Sequence, residues 1–168
     1  QMAERGFAAI AFDPSYTGES GGEPHNSASP EMSTEDFSAA VDFIGLQKNV
    51  DRNKIGIIGI CGWGGFALNA VAVDKRVKAV ATTSLYDIPR VMSNGYNDSR
   101  TVEERTKMLE ALSQQRWADA ESGKPSYGAT PNPDKLMGDE PEFIKSYFDY
   151  YKTPRGFHPR AVNSNAGF

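Results

Sequence analysis

The chain holds one cysteine, Cys61, and it stands inside a cluster of glycines. Gly59 lies two residues before it, and Gly62, Gly64 and Gly65 follow it. Before the cluster, Lys54-Ile55-Gly56-Ile57-Ile58-Gly59 reads as a buried strand. After it, Phe66 to Val73 is apolar almost all round, the pattern of a buried helix. A strand that turns at once into a helix needs small neighbours, because its backbone is strained and two segments approach closely. Such a turn lifts the Cys61 side chain to a helix N-terminus, where N–H groups and the helix dipole favour a thiolate. The N–H of Gly62 would point at an oxyanion developing on an attacked carbonyl. The chemistry on offer is acyl transfer through a covalent thioester on Cys61.

The plainer alternative is a structural thiol, since free cysteine often serves as a small core residue. The glycine cluster and the strand register favour the nucleophile. Trp63 reads either as core packing or as a wall of the substrate pocket, and Tyr16 is a second candidate for that wall. Asp13, followed by Pro14, suits a loop anchor better than a catalyst. The loop Tyr16-Thr17-Gly18-Glu19-Ser20-Gly21-Gly22 lacks the lysine of a phosphate-binding loop, so it reads as a connection. His25 sits in a Pro- and Ser-containing loop and is expected to be solvated. A nucleophilic cysteine needs a histidine base, usually oriented by an acid. Cys61, Asp87 and His158 occur in the order nucleophile, acid, base. Order alone supports that triad, and His158 reads better as a structural hydrogen-bonding residue because no strand precedes it.

The elements that must position these residues alternate. Phe7 to Phe12 is an apolar run of the kind found in strands covered on both faces. A loop to about Pro30 follows, then a helix capped by Ser33 or Thr34, with Phe37, Ala40, Val41 and Ile44 on one stripe. The Cys61 strand and helix come next. Val77 to Ser84 is rich in β-branched residues and reads as a third strand. Strand–helix–strand–helix–strand predicts an α/β fold, three-layered as α/β/α around a parallel sheet. The second half has another character. Thr101-Val102-Glu103-Glu104 is a capping box opening a helix to about Ala120, with Met108, Leu109 and Leu112 on one side. A Gly-, Pro- and Asp-rich loop follows. A last helix is expected over 141–151, with Phe143, Ile144, Tyr147, Phe148 and Tyr151 on one face and Tyr150 beside them. The implied organisation is a sheet core over 1–87, a helical cap insertion over 88–155 and a return segment over 156–168.

Composition narrows the function classes. Of 168 residues, 39% are hydrophobic and 24% charged, with a net charge of −4 and a pI of about 5.2. That balance argues against nucleic acid as a partner. No apolar run approaches the roughly 20 residues of a membrane helix. One cysteine excludes an internal disulfide and fits a reducing, cytoplasmic setting. Two histidines and one cysteine form no zinc-type ligand set, and no cofactor is expected.

Ile55-Gly56-Ile57-Ile58-Gly59-Ile60-Cys61-Gly62 resembles the strand and nucleophile elbow of α/β-hydrolases, with cysteine where most members carry serine. Cysteine at that place resembles dienelactone hydrolase. The stretch Phe12-Asp13-Pro14-Ser15-Tyr16-Thr17-Gly18-Glu19-Ser20-Gly21-Gly22 is similar to a closer group of bacterial dienelactone-hydrolase-like proteins and fungal polyketide transferases. Ser93 to Ser99 and Tyr151 to Arg160 are similar to the same group. The common pattern has glycine two residues after the nucleophile, and here Trp63 stands there. A Cys-x-x-Gly-Gly register would instead put Trp63 at the top of the turn, where it could not attack a carbonyl. The resemblance implies a hydrolase acting on an ester, lactone or thioester of a small acyl molecule. Acyl transfer, and a catalytically silent binding protein, are the rival readings. The resemblance also implies that the triad acid and histidine lie beyond Phe168 and the second oxyanion donor before Gln1. The chain alone is then the middle portion of an enzyme and inactive by itself.

Overall fold

A computed structural model describes residues 2–128 and 134–162. They fall into two compact units. The first comprises residues up to Phe12 together with Ser29–Trp117, and the second Asp13–Ala28 together with residues from Ala118 on. The boundary expected at 87/88 falls inside the first unit.

The first unit is built on two parallel strands, β1 (Gly56–Ile60) and β2 (Ala79–Thr83), in register from Gly56↔Ala79 to Ile60↔Thr83. Helices α1 (Pro30–Gly45) and α2 (Trp63–Val73) pack on each other and α2 packs on both strands. Alternation along the strand decides what is covered. Ile55, Ile57 and Gly59 point to the helices, and Ile55 joins Val41 and Val77 in the core, with Ile44, Val50, Ile57 and Val71 around them. Ala67 and Ala70 of α2 are fully buried, and small side chains there let the helix lie close on β1. Ile58 and Ile60 point the other way and remain more than half exposed. Among the described residues, helices therefore cover one face of this sheet, where the sequence predicts cover on both.

Several expectations meet a different outcome. Phe7 to Phe12 joins no ladder among the described residues. Phe7, Ile10 and Phe12 are each over two-fifths exposed, so burial does not offset the entropy of ordering a strand. The run is held instead by Phe12, whose ring meets Phe37 edge-to-face at 5.9 Å. Helix α1 starts earlier than Ser33 or Thr34. Ser29 is the cap, accepting from the Met32 N–H at 3.1 Å, and Pro30 takes the first helical position, where its missing N–H is harmless. Ser33 is inside the helix and buried, and Thr34 accepts a 2.7 Å hydrogen bond from Asn69 that joins α1 to α2. Helix α2 starts at Trp63, three residues before Phe66, and its Leu68 and Val73 are exposed. Past α2, Asp74 and Arg76 pair, and Arg76 also reaches Asp42 of α1. Hydrogen bonds from Arg76 hold the Asp74 carboxyl down at about 2.

A short helix, α3 (Ile88–Asn94), follows β2, and α4 (Val102–Ser122) begins on the expected capping box. Glu104 N–H donates to the Thr101 hydroxyl at 3.2 Å, and Thr101 N–H donates back to Glu104 at 2.8 Å. The hydrogen bond from the Thr101 N–H lowers the Glu104 carboxyl. No described residue of α4 is buried, so the expected stripe of Met108, Leu109 and Leu112 is not a core face. Helix α5 (Glu142–Tyr151) in the second unit carries the expected aromatic stripe. Phe143, Tyr147 and Tyr151 meet edge-to-face at 6.0 and 5.9 Å, and Arg155 lies over the Tyr150 ring.

Candidate active site

The turn between β1 and α2 puts Cys61, not Trp63, at its top. Cys61 has φ +59°, a left-handed conformation that a non-glycine residue adopts only where its surroundings over-determine it. Its N–H still donates to Thr83 O at 2.9 Å, extending the sheet ladder by one bond, and its carbonyl accepts from Gly64 N–H at 2.9 Å. The residue thus ends a strand and opens a helix at once. Trp63 is the first residue of α2, half-buried, with its ring edge-to-face on Phe66 at 5.6 Å.

Each glycine of the cluster answers to a particular neighbour. A β-carbon on Gly59 would lie 2.7 Å from both Ala67 Cβ and Gly64 Cα, so Gly59 and Gly64 together let α2 cross β1. This is how Trp63 is tolerated two residues after Cys61: Gly64 supplies the close approach. The other glycines face the segment after β2. Ser84, at φ +50°, turns the chain, and Leu85, Tyr86 and Ile88 fold over the first turn of α2. A β-carbon on Gly64 would lie 3.1 Å from Leu85 Cβ, and one on Gly65 2.9 Å from Tyr86 O. At Gly62 a β-carbon would run into the Ile88 side chain and come within 3.4 Å of the Tyr86 hydroxyl. Gly62 is buried, and its N–H donates no hydrogen bond among the described residues.

Asp87 caps α3, its carboxylate accepting from Arg90 N–H at 3.0 Å, and its backbone lies near Gly65. A groove of about 380 Å³ runs beside this region, lined by Gly65, Phe66, Leu68, Leu85 and Ile88 among others, and Cys61 is not in its lining. The remaining candidates belong to the second unit. Tyr16 has φ +67°, donates its N–H to Gly21 O at 2.8 Å and lays its ring against Gly22. Asp13 anchors the same loop by accepting from Glu19 N–H at 2.9 Å. His25 is half-buried, its N–H donating to Glu23. His158 Nδ1 accepts from Arg160 N–H at 3.3 Å, a local turn bond. Cys61, Gly62, Trp63 and Asp87 lie in the first unit, and Tyr16 and His158 lie in the other. Among the described residues, no group of His, Cys, Asp or Glu could hold a metal, and no helix is long and apolar enough to cross a membrane.

Tyr86 is a neighbour of the site that sequence reasoning misses. Its one signal is its place, just past the carboxyl end of a parallel strand, where open α/β sheets bind ligands.

The chain is 68% identical over 163 residues to the uncharacterised protein PA2218 of Pseudomonas aeruginosa, covering 97% of this chain and 43% of that protein. A crystal structure of PA2218 superposes with a TM-score of 0.93, over 99% of this chain and 51% of that one. A thiohydrolase of Aspergillus aculeatus is 36% identical over 77 residues, 46% of this chain and 24% of that protein. A polyketide transferase of Penicillium crustosum is 27% identical over 158 residues, 94% of this chain and 44% of that protein. The chain thus spans about half the length of PA2218 and of the transferase, or less. A family model for dienelactone hydrolases matches residues 1–89, which include β1, the Cys61 turn, α2 and β2. On that match, over more than half its length, the chain belongs to the dienelactone hydrolase family and has an α/β-hydrolase fold in part.

Proposed function

We propose that Cys61 is the nucleophile of a hydrolase that cleaves an ester, lactone or thioester through an acyl-cysteine intermediate. The observation that carries this reading is the left-handed Cys61 at a strand-to-helix turn, next to a buried Gly62 N–H left without an acceptor among the described residues. Strain of this kind, about 1–3 kcal/mol, is kept where the chemistry needs a side chain held clear of the sheet. Thioesters are the favoured substrate class, because thiohydrolases are among the relatives. The base and acid that complete the machinery are proposed to lie in a longer polypeptide, with Asp87 serving α3 as its cap. The uncovered face of β1 and β2 is proposed to be covered there too, giving the three-layer core, and 88–155 is proposed as a cap insertion. The 168-residue chain is then inactive alone.

The test is turnover of short acyl thioesters by the full polypeptide and by Cys61→Ala. Loss of turnover in the variant supports the reading; retained turnover removes it. The relation to a polyketide transferase favours a second outcome, in which the acyl group passes to an alcohol or amine. Product partition decides between them: an acceptor that takes most of the acyl group in competition with water makes the protein a transferase. If no acyl substrate turns over, the chain is a binding protein on a hydrolase fold.

A further inference from the structure

Gly62 is held from outside its own turn. We infer that Ile88, the first residue of α3, is a positioning residue that keeps the Gly62 N–H aimed at the oxyanion. The inference rests on the reading of Cys61 as nucleophile and adds a residue that acts through Gly62.

Glycine takes either sign of φ at little cost, so Gly62 does not by itself hold its N–H in one direction. Here it stands at φ −58° and ψ −34°, already helical. Two holds lie inside the turn. Cys61 before it is pinned by Thr83 O and Gly64 N–H, and the Gly62 carbonyl accepts from Gly65 N–H at 3.1 Å. The third hold is Ile88. A β-carbon on Gly62 would lie 2.3 Å from Ile88 Cδ1 and 2.8 Å from its Cγ1. That β-carbon would be bonded about 1.5 Å from Gly62 Cα, so Ile88 Cδ1 itself lies within about 3.8 Å of Cα, in carbon–carbon contact. Ile88 thus fills the place of the side chain that Gly62 lacks. Gly62 is buried and Ile88 half-buried. Ile88 is fixed in its turn by the start of α3, where the Asp87 carboxylate accepts from Arg90 N–H and its carbonyl from Val91 N–H, each at 3.0 Å. The pair is matched in size: a larger residue at 62 collides with Ile88, and a smaller one at 88 leaves Gly62 unsupported.

The step that depends on this support is the addition. The Cys61 thiolate adds to the acyl carbon, forming a C–S bond, and the carbonyl π pair moves to oxygen. That oxyanion accepts a hydrogen bond from Gly62 N–H, whose direction decides how well it does so. Collapse restores the C=O bond and expels the alkoxide or thiolate with its bonding pair.

Two reactions of Cys61 in the full polypeptide separate this role from simple packing. Acylation by a p-nitrophenyl ester passes through an oxyanion; alkylation by iodoacetamide displaces iodide and forms none. The readout is the ratio of the two rates in wild type, Ile88→Ala, Gly62→Ala and the double variant. Each single change should lower the ratio about tenfold, part of the loss of about 10²-fold for a missing donor. The double variant should return to within threefold of wild type. Ile88→Ala removes both crowding atoms, the Tyr86 hydroxyl at 3.4 Å is then the nearest, and the new methyl stands where Cδ1 stood. A ratio in Ile88→Ala within twofold of wild type overturns the inference. A double variant about 10²-fold down, the product of the singles, also overturns it, since the two residues then act independently. If Ile88→Ala does not fold, Ile88→Val removes Cδ1 alone and should lower the ratio about threefold; an unchanged ratio there overturns the inference equally. All of these outcomes leave the nucleophile reading intact, whereas ester turnover that survives Cys61→Ala removes that reading itself.

Discussion

Replacing Gly59 with alanine isolates the contact that makes the Cys61 turn. The added methyl would stand 2.7 Å from Ala67 Cβ, 2.7 Å from Gly64 Cα and 3.1 Å from Trp63 O. Carbon atoms rest at about 3.5–4.0 Å, so α2 must move away from β1 by about 1 Å. Neither neighbour can swing aside, because one is a methyl on a buried helix face and the other is backbone. Overpacking of this kind lies at the top of its usual range, about 3 kcal/mol, less up to about 1 kcal/mol regained from glycine's backbone entropy. Gly56 is the internal control. It lies in the same strand on the opposite face, and its methyl would meet Ala79 O at 3.3 Å and Ala79 Cβ at 3.6 Å. Gly56→Ala should fall within about 1 kcal/mol of wild type, with the entropy gain offsetting a small adjustment. Urea unfolding followed by tryptophan fluorescence measures both. Gly59→Ala should lose about 2 kcal/mol or more, and Gly56→Ala should not. Equal stabilities for the two variants would refute the close crossing of α2 over β1.

Cys61→Gly should be more stable than Cys61→Ala by about 1 kcal/mol, because glycine relieves the left-handed strain that alanine retains; urea midpoints decide it. Thr101→Ala should destabilise α4 by about 1 kcal/mol through loss of its N-cap, visible as lost helical circular dichroism on heating, whereas Thr106→Ala, on an exposed helical turn, should not. Asp74 titrates at about 2 in the fold against 3.8 as its ordinary value, held there by Arg76. Its contribution, about 1 kcal/mol once screening at the half-exposed Arg76 is allowed for, is therefore full above pH 4 and lost as pH falls through 2. The stability difference between wild type and Asp74→Asn should shrink over that window; a difference that stays constant from pH 6 to pH 2 contradicts the pairing.

What is legible in the sequence is local and periodic. The two strands either side of Cys61, the helix between them and the Thr101–Glu104 box are marked by β-branched runs, glycine spacing and reciprocal capping residues. The Phe7–Phe12 run misleads, because an apolar stretch shows a tendency to burial but not a ladder partner. Ser33 misleads as a cap because Pro30, which looks like loop, opens the helix under Ser29. Within the site, the glycine cluster signals one crossing, of strand and helix. It eases two, and the second depends on Ser84 turning left-handed, which nothing in the local sequence requires. Tyr86 is hidden for the same reason. A residue brought over the site by a loop leaves no spacing signal.

The measurement that bears most directly on Cys61 is the mass of a trapped intermediate. The full polypeptide is mixed with an acyl thioester, quenched in acid within milliseconds and digested. With Cys61 as nucleophile, the peptide containing it becomes heavier by the acyl group, in a species formed and consumed at the rate of turnover and absent in Cys61→Ala. Turnover with no acylated cysteine, or an acyl group found on another residue at the same rate, would contradict that role.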